Sequence, residues 1–124
     1  MSPRSEEFMA GARDRLDLAR TALEAGFPAG ATSAAYYAML YAARAALSEE
    51  ERNAKTHSGT WGLFRETFVA TGRFDEGVLS EAHGTQQLRE AADYDALIVP
   101  RDEAERVVGL ADRFVAAVAD MLAA

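Results

Sequence analysis

The sequence predicts an all-α protein: an antiparallel up-and-down helical bundle with four main helices plus one further helix. Three observations lead there. Apolar side chains recur every three or four positions in five separate segments, the period of a helix with one covered face. Glycine, proline and cap-type residues punctuate the chain where those segments stop. The connections are mostly short, which favours antiparallel neighbours. The 124 residues are read as one helical domain, 1–124, long enough to bury a core without a metal or a disulfide.

The first helix is expected to begin at Ser2 and Pro3, a cap residue followed by a proline that tolerates its missing N–H at that position. Phe8, Ala12, Leu16, Ala19 and Leu23 form its apolar stripe, with Arg13, Asp14, Asp17 and Arg20 on the solvated side. Gly26 and Pro28 end it. The central helix is Ser33 to Leu47, in which Tyr36, Leu40, Ala43 and Leu47 share one face while Tyr37, Tyr41 and Arg44 line the face beside it. Alanine fills most other positions and lets neighbouring helices approach closely, so this helix is expected to be covered on most sides. Its tyrosines read as core residues with hydroxyls in search of a partner.

Lys55-Thr-His-Ser-Gly59 leads into a third helix with Trp61, Phe64 and Phe68 inward and Gly72 as its C-cap. Asp75 is the expected N-cap of the fourth, with Phe74 and Leu79 as its hydrophobic staple. Ala96 to Pro100 is a short apolar connection. Asp102 and Glu105 have capping-box spacing, and Val107, Ala111, Phe114, Val118 and Leu122 give the last helix a long apolar stripe.

Composition narrows the function. The chain has no cysteine, which removes thiol catalysis and Cys-based zinc sites. Its formal charge is −7, which argues against a broad, sequence-independent nucleic-acid surface but leaves room for a local basic site. The N-terminal residues lack the apolar run of a signal peptide and no segment reads as a membrane span, so a cytoplasmic location is expected.

The fourth helix carries the chemistry. His83, Gln87, Glu90 and Tyr94 fall on one face at offsets of four, three and four, with Gln86, Arg89 and Asp93 in a second polar row. Such a face is either wetted or lines a polar groove or dimer seam. Lys55 and His57 are further binding candidates, His57 as a phosphate contact. Two histidines alone, His57 and His83, give no basis for a metal site, and no metal or other cofactor is expected.

Ala34-Ala-Tyr-Tyr-Ala-Met39, Lys55-Thr-His-Ser-Gly59, Phe68-Val-Ala-Thr-Gly72 and Leu88-Arg-Glu-Ala-Ala-Asp-Tyr94, in this order and spacing, resemble the HEPN domain proteins of the small stand-alone prokaryotic branch. The resemblance runs from about Phe8 to the final helix. It implies a bundle that forms a homodimer and is often paired with a minimal nucleotidyltransferase in a toxin–antitoxin system. Many members of the superfamily are metal-independent ribonucleases whose signature is an arginine followed, after four to six residues, by a histidine. Arg89 matches the arginine. Tyr94 stands where the histidine is expected, and no histidine follows His83.

That departure bears on mechanism, because a histidine near neutral pKa suits both proton transfers of metal-free RNA cleavage, whereas tyrosine is a poor base. Arg89 remains suited to clamping a phosphate, with Asp93 as its pairing partner or as a base. The residues leave three readings. The first is a regulatory HEPN homodimer that binds a nucleotidyltransferase, and a nucleotide or RNA, at the Arg89–Tyr94 groove with Gln86, His83, Lys55 and His57. The second is a ribonuclease toxin using Arg89, Asp93 and Tyr94, with Tyr94 also the residue such a partner would modify. The third is a structural helical interaction domain.

Overall fold

Helix α1 spans Pro3–Glu24, α2 Pro28–Glu49, α3 His57–Phe64, α4 Glu76–Tyr94 and α5 Arg101–Ala123, and a π-helical turn, Arg65–Val69, continues α3. The computed structural model describes all residues, Met1 to Ala124. Contacts between helix ends set the directions. The Ser2 amide, at the start of α1, donates to Glu49 at the end of α2 (3.0 Å). Arg101, at the start of α5, donates to the Leu23 carbonyl near the end of α1 (2.9 Å). Ser33, early in α2, donates to Asp93 near the end of α4 (3.3 Å). Each pair is therefore antiparallel, and the chain runs up, down, up, down through α1, α2, α4 and α5.

The four long helices assemble around α2, which packs against α1, α5, α4 and α3. Its composition explains the position. Ala31, Ala35, Ala38, Ala42, Ala43, Ala45 and Ala46 are all fully buried, and their small side chains let four neighbours approach at once. Large side chains fill the layer above: Trp61, Phe64 and Phe74 from the α3–α4 region meet Phe114 of α5, and Phe68 meets Phe64, with ring centroids 4.8–5.9 Å apart. No helix is long and apolar enough to cross a membrane.

Helix starts follow the sequence at α1 and α4 and depart from it at α2 and α5. Ser2 caps α1 by accepting from the Ser5 amide (3.2 Å), and Asp75 caps α4 by accepting from Val78 (3.0 Å). The central helix begins earlier than its apolar pattern, at Pro28, which occupies the first turn. At α5 the expected capping box does not form. Pro100 takes the N-cap position and Asp102 lies inside the first turn, while Glu105 is drawn into an ion pair with Arg101 (3.0 Å). The long-range bond from Arg101 to Leu23 anchors the helix two residues before the local pattern would.

Four chain reversals share a left-handed residue: Gly26 (φ +86°), Glu51 (φ +56°), Gly72 (φ +78°) and Ala96 (φ +54°). After each, an amide reaches back into the preceding helix, Phe27 to Ala22, Arg52 to Leu47, Arg73 to Phe68 and Leu97 to Ala91. This supplies carbonyls that a helix end otherwise leaves unpaired. Glycine adopts that conformation freely. Glu51 and Ala96 carry a Cβ there, at a cost of about 1 kcal/mol each.

Candidate functional site

The inner stripe of α4 changes character along its length. Leu79 and Ala82 enter the apolar core, Thr85 follows with its hydroxyl turned back on the Ala82 carbonyl (2.7 Å), and the next inward position is Arg89, 4% exposed. A guanidinium so placed needs company, and α2 and α3 provide it. Its carbon lies 5.2 Å from the ring centre of Tyr36, 5.4 Å from Tyr37 and 5.8 Å from Tyr94, three faces that attract a cation. One terminal nitrogen lies 3.4 Å from Asp93 Oδ2. The other lies 3.4 Å from His57 Nδ1 and 3.7 Å from Glu90 Oε1. Its Nε is buried without a partner.

His57 is held from the other side. Thr56 caps α3 by accepting from the Gly59 amide (2.9 Å), which sets His57 as the first residue of the helix. Trp61 Nε1 donates to the Tyr36 hydroxyl (3.1 Å), and that hydroxyl lies 3.2 Å from His57 Nδ1. An indole N–H can only donate, so the Tyr36 oxygen accepts there and passes its own proton toward His57. Arginine is likewise only a donor. Both neighbours therefore require Nδ1 to be an acceptor, so the imidazole is neutral and carries its proton on Nε2.

The electrostatics agree. Burial pushes the His57 pKa below the ordinary histidine value, and the charges of Arg89 and Arg44 push it further. Burial raises the Tyr36 hydroxyl above the ordinary tyrosine range, which keeps its proton available to donate. For Arg89, burial works against the charge, but Tyr37, Tyr94 and Asp93 outweigh it and its pKa is raised. The site thus holds one permanent cation against one neutral imidazole.

A polar cavity of about 550 Å³ lies between α3 and α4, lined in part by Ser58, His83, Gly84, Gln86, Gln87 and Glu90, with no apolar side chain. The polar face of α4 is in this part a groove. His83 stacks on Trp61 with centroids 6.0 Å apart and planes 22° apart. Gln86 donates to Glu90 Oε1 (3.1 Å), the same oxygen that faces Arg89, so Glu90 joins the groove to the Arg89 cage.

Arg89, Asp93, Tyr94 and His57 are thus brought together, and Gln86 and His83 lie in the adjoining groove. Lys55 is exposed, two residues ahead of His57. Sequence reasoning missed Tyr36 as the hydroxyl that orients His57, Tyr37 as a wall of the cage, and Ser33 as the second donor to Asp93. Helical phase had marked the two tyrosines as core and near-core, but which distant side chain they would meet depends on how α4 crosses α2.

A family model described as "HEPN domain" matches residues 5–121. Among similar proteins, "Putative toxin MJ0142" of Methanocaldococcus jannaschii is 32% identical over 101 residues, 81% of this chain and 69% of the relative. "UPF0332 protein glr0978" of Gloeobacter violaceus is 33% identical over 94 residues, 76% of this chain and 75% of the relative. "Putative toxin MJ0605" of Methanocaldococcus jannaschii is 31% identical over 109 residues, covering 84% and 78%. With a family match along nearly its whole length and relatives of this identity and coverage, the chain belongs to the HEPN domain family.

Proposed function

We propose that this protein is the toxin-like HEPN subunit of a cytoplasmic toxin–antitoxin pair, acting as a homodimer that binds a nucleotide or RNA at the Arg89–Tyr94 groove alongside a minimal nucleotidyltransferase. The observation that carries this reading is the state of Arg89. Its guanidinium is buried and fixed, one of its donors is unpartnered, and the neighbouring Tyr94 is 77% exposed. A phosphate arriving at this mouth meets the field of a buried, preorganised cation and an exposed phenol, with the Nε2–H of His57 as a further donor in the same cluster. The relatives named as toxins support the wider biological setting.

Binding is favoured over strand cleavage because the groups that would move protons are engaged. His57 keeps its acceptor nitrogen turned inward. Asp93, the remaining base, accepts from both Arg89 and Ser33. Tyr94 is also the residue on which a nucleotidyltransferase partner would place a nucleotide: its oxygen attacks the α-phosphorus of a nucleoside triphosphate, pyrophosphate leaves, and the phenolic proton passes to a base of the partner.

The test joins three measurements. Sedimentation should give twice the chain mass. Calorimetry with a nucleotide and with a short single-stranded RNA should show binding that Arg89→Met weakens by about tenfold or more, the loss of a charged hydrogen bond. Co-expression with a minimal nucleotidyltransferase encoded beside this chain's gene, where one is found there, should yield a complex and a nucleotide adduct on Tyr94 in the intact mass. A monomer that binds neither nucleotide nor RNA, and captures no such partner, overturns the proposal.

A further inference from the structure

A second cavity, of about 640 Å³, opens at the other end of α2, between the start of α1 and the segment that leaves α2. It shares no lining residue with the polar groove on α4. Arg4, Arg44 and Arg52 surround it, with Phe8, Ser48 and Asn53 between them. In a chain where acidic residues outnumber basic ones, 20 to 13, three guanidinia around one hollow are a local exception. The Arg44 side chain is half-buried with no ion pair or hydrogen bond within the protein, and the Arg52 side chain donates only to the Thr67 hydroxyl (3.0 Å). Arg4 is held over the Phe8 ring at 4.7 Å and pairs with Glu7 at 3.7 Å. The hydroxyl of Ser48 and the amide of Asn53 also have no partner.

The negative end of α2 would ordinarily weaken an anion site here. The chain reversal at Glu51 counters it. Amides of Glu50, Glu51 and Arg52 cover the Leu47 and Ser48 carbonyls at 2.9–3.0 Å, and the same turn folds Arg52 and Asn53 back over the helix end. The Glu51 carboxylate also borders the cavity, but it pairs with none of the three guanidinia. The volume lies within the ~300–1,000 Å³ of small-molecule sites, larger than a single phosphate needs. Guanidinia suit a phosphate, while the Phe8 ring and the Asn53 amide suit a sugar and base.

We propose that this cavity is a second phosphate-binding site that takes a nucleoside phosphate, free or at the end of a strand, with the phosphate between Arg44 and Arg52 and the nucleoside toward Phe8 and Asn53.

The test follows backbone amides of the full chain by NMR during titration with adenosine 5′-monophosphate and, separately, with inorganic phosphate. Saturable shifts at Ser48, Arg52 and Asn53 are expected with the mononucleotide, and about tenfold weaker binding of phosphate alone. The double variant Arg44→Gln/Arg52→Gln should weaken the mononucleotide by about tenfold or more. Glu51→Gln should tighten it. Should the double variant unfold, Arg52→Gln alone decides, because that side chain is exposed. A short oligoadenylate separates the two sources: shifts at Asn53 and Tyr94 together mark a strand spanning both sites, and shifts at Asn53 alone mark a terminal or free nucleotide. No saturation with the mononucleotide, equal affinity for inorganic phosphate, or indifference to the arginine variants overturns the proposal.

Discussion

The Arg89 guanidinium lies 3.4 Å from His57 Nδ1. Two basic side chains from different helices share one contact, and this is stable only while the imidazole is neutral. Protonating His57 would remove the acceptor that both Arg89 and Tyr36 use and place two cations side by side.

This predicts a pH dependence with a definite sign. The folded pKa of His57 lies below its unfolded value of about 6.5, so the unfolded chain takes up the proton first as pH falls. The stability contributed by the neutral ring is therefore fully present above about pH 6.5 and is lost as pH falls toward and through the depressed folded pKa. Denaturant melts across this range should show the decline. In His57→Asn, which keeps an acceptor near the Nδ1 position and cannot titrate, this component should vanish.

Tyr36→Phe removes the hydroxyl between Trp61 and His57. It leaves the buried indole N–H of Trp61 unpaired and releases the tautomer of His57. We expect a loss of about 1–3 kcal/mol in chemical denaturation, accompanied by a rise in the His57 pKa measurable by NMR. A loss of stability without movement of that pKa would show that Tyr36 only fills space.

Arg89→Lys keeps the charge and discards the geometry. An ammonium cannot reach His57 and Asp93 together as the planar fork does, nor lie against Tyr36 and Tyr37 in the same way. Nucleotide or RNA affinity should drop by about tenfold or more. Near-wild-type affinity in this variant would mean that charge alone is recognised.

Glu51→Gly and Ala96→Gly relieve a Cβ at left-handed positions. Each should stabilise the protein by up to about 0.5 kcal/mol, the relief of strain less the extra entropy of an unfolded glycine. Thermal melts check this directly. At Glu51 the substitution also removes a carboxylate from the rim of the cavity lined by Arg44 and Arg52, so the same variant should bind adenosine 5′-monophosphate more tightly.

What was legible in the chain alone was whatever depends on neighbours within a turn or two. The stripes Phe8 to Leu23 and Val107 to Leu122, the caps Ser2 and Asp75, and the glycine ends at 26 and 72 are local, because helix phase and end-group hydrogen bonding involve residues three to five apart. The helical bundle followed from them. Asp102 was misjudged for a related reason: a local capping pattern lost to the contact between Arg101 and Leu23, residues distant in sequence.

The tertiary structure decided what Arg89 means. In the sequence it is one arginine in a polar row, equally fit for solvent, a phosphate or a seam. Only the crossing of α4 over α2, with α3 beside them, encloses it among Tyr36, Tyr37 and Tyr94 and sets His57 against it. The same holds for Arg4, Arg44 and Arg52, scattered along the chain and gathered by the antiparallel pairing of α1 with α2. Charge and hydrogen bonding between distant residues depend on distances that no local period encodes, so their partners emerge only once the helices have packed.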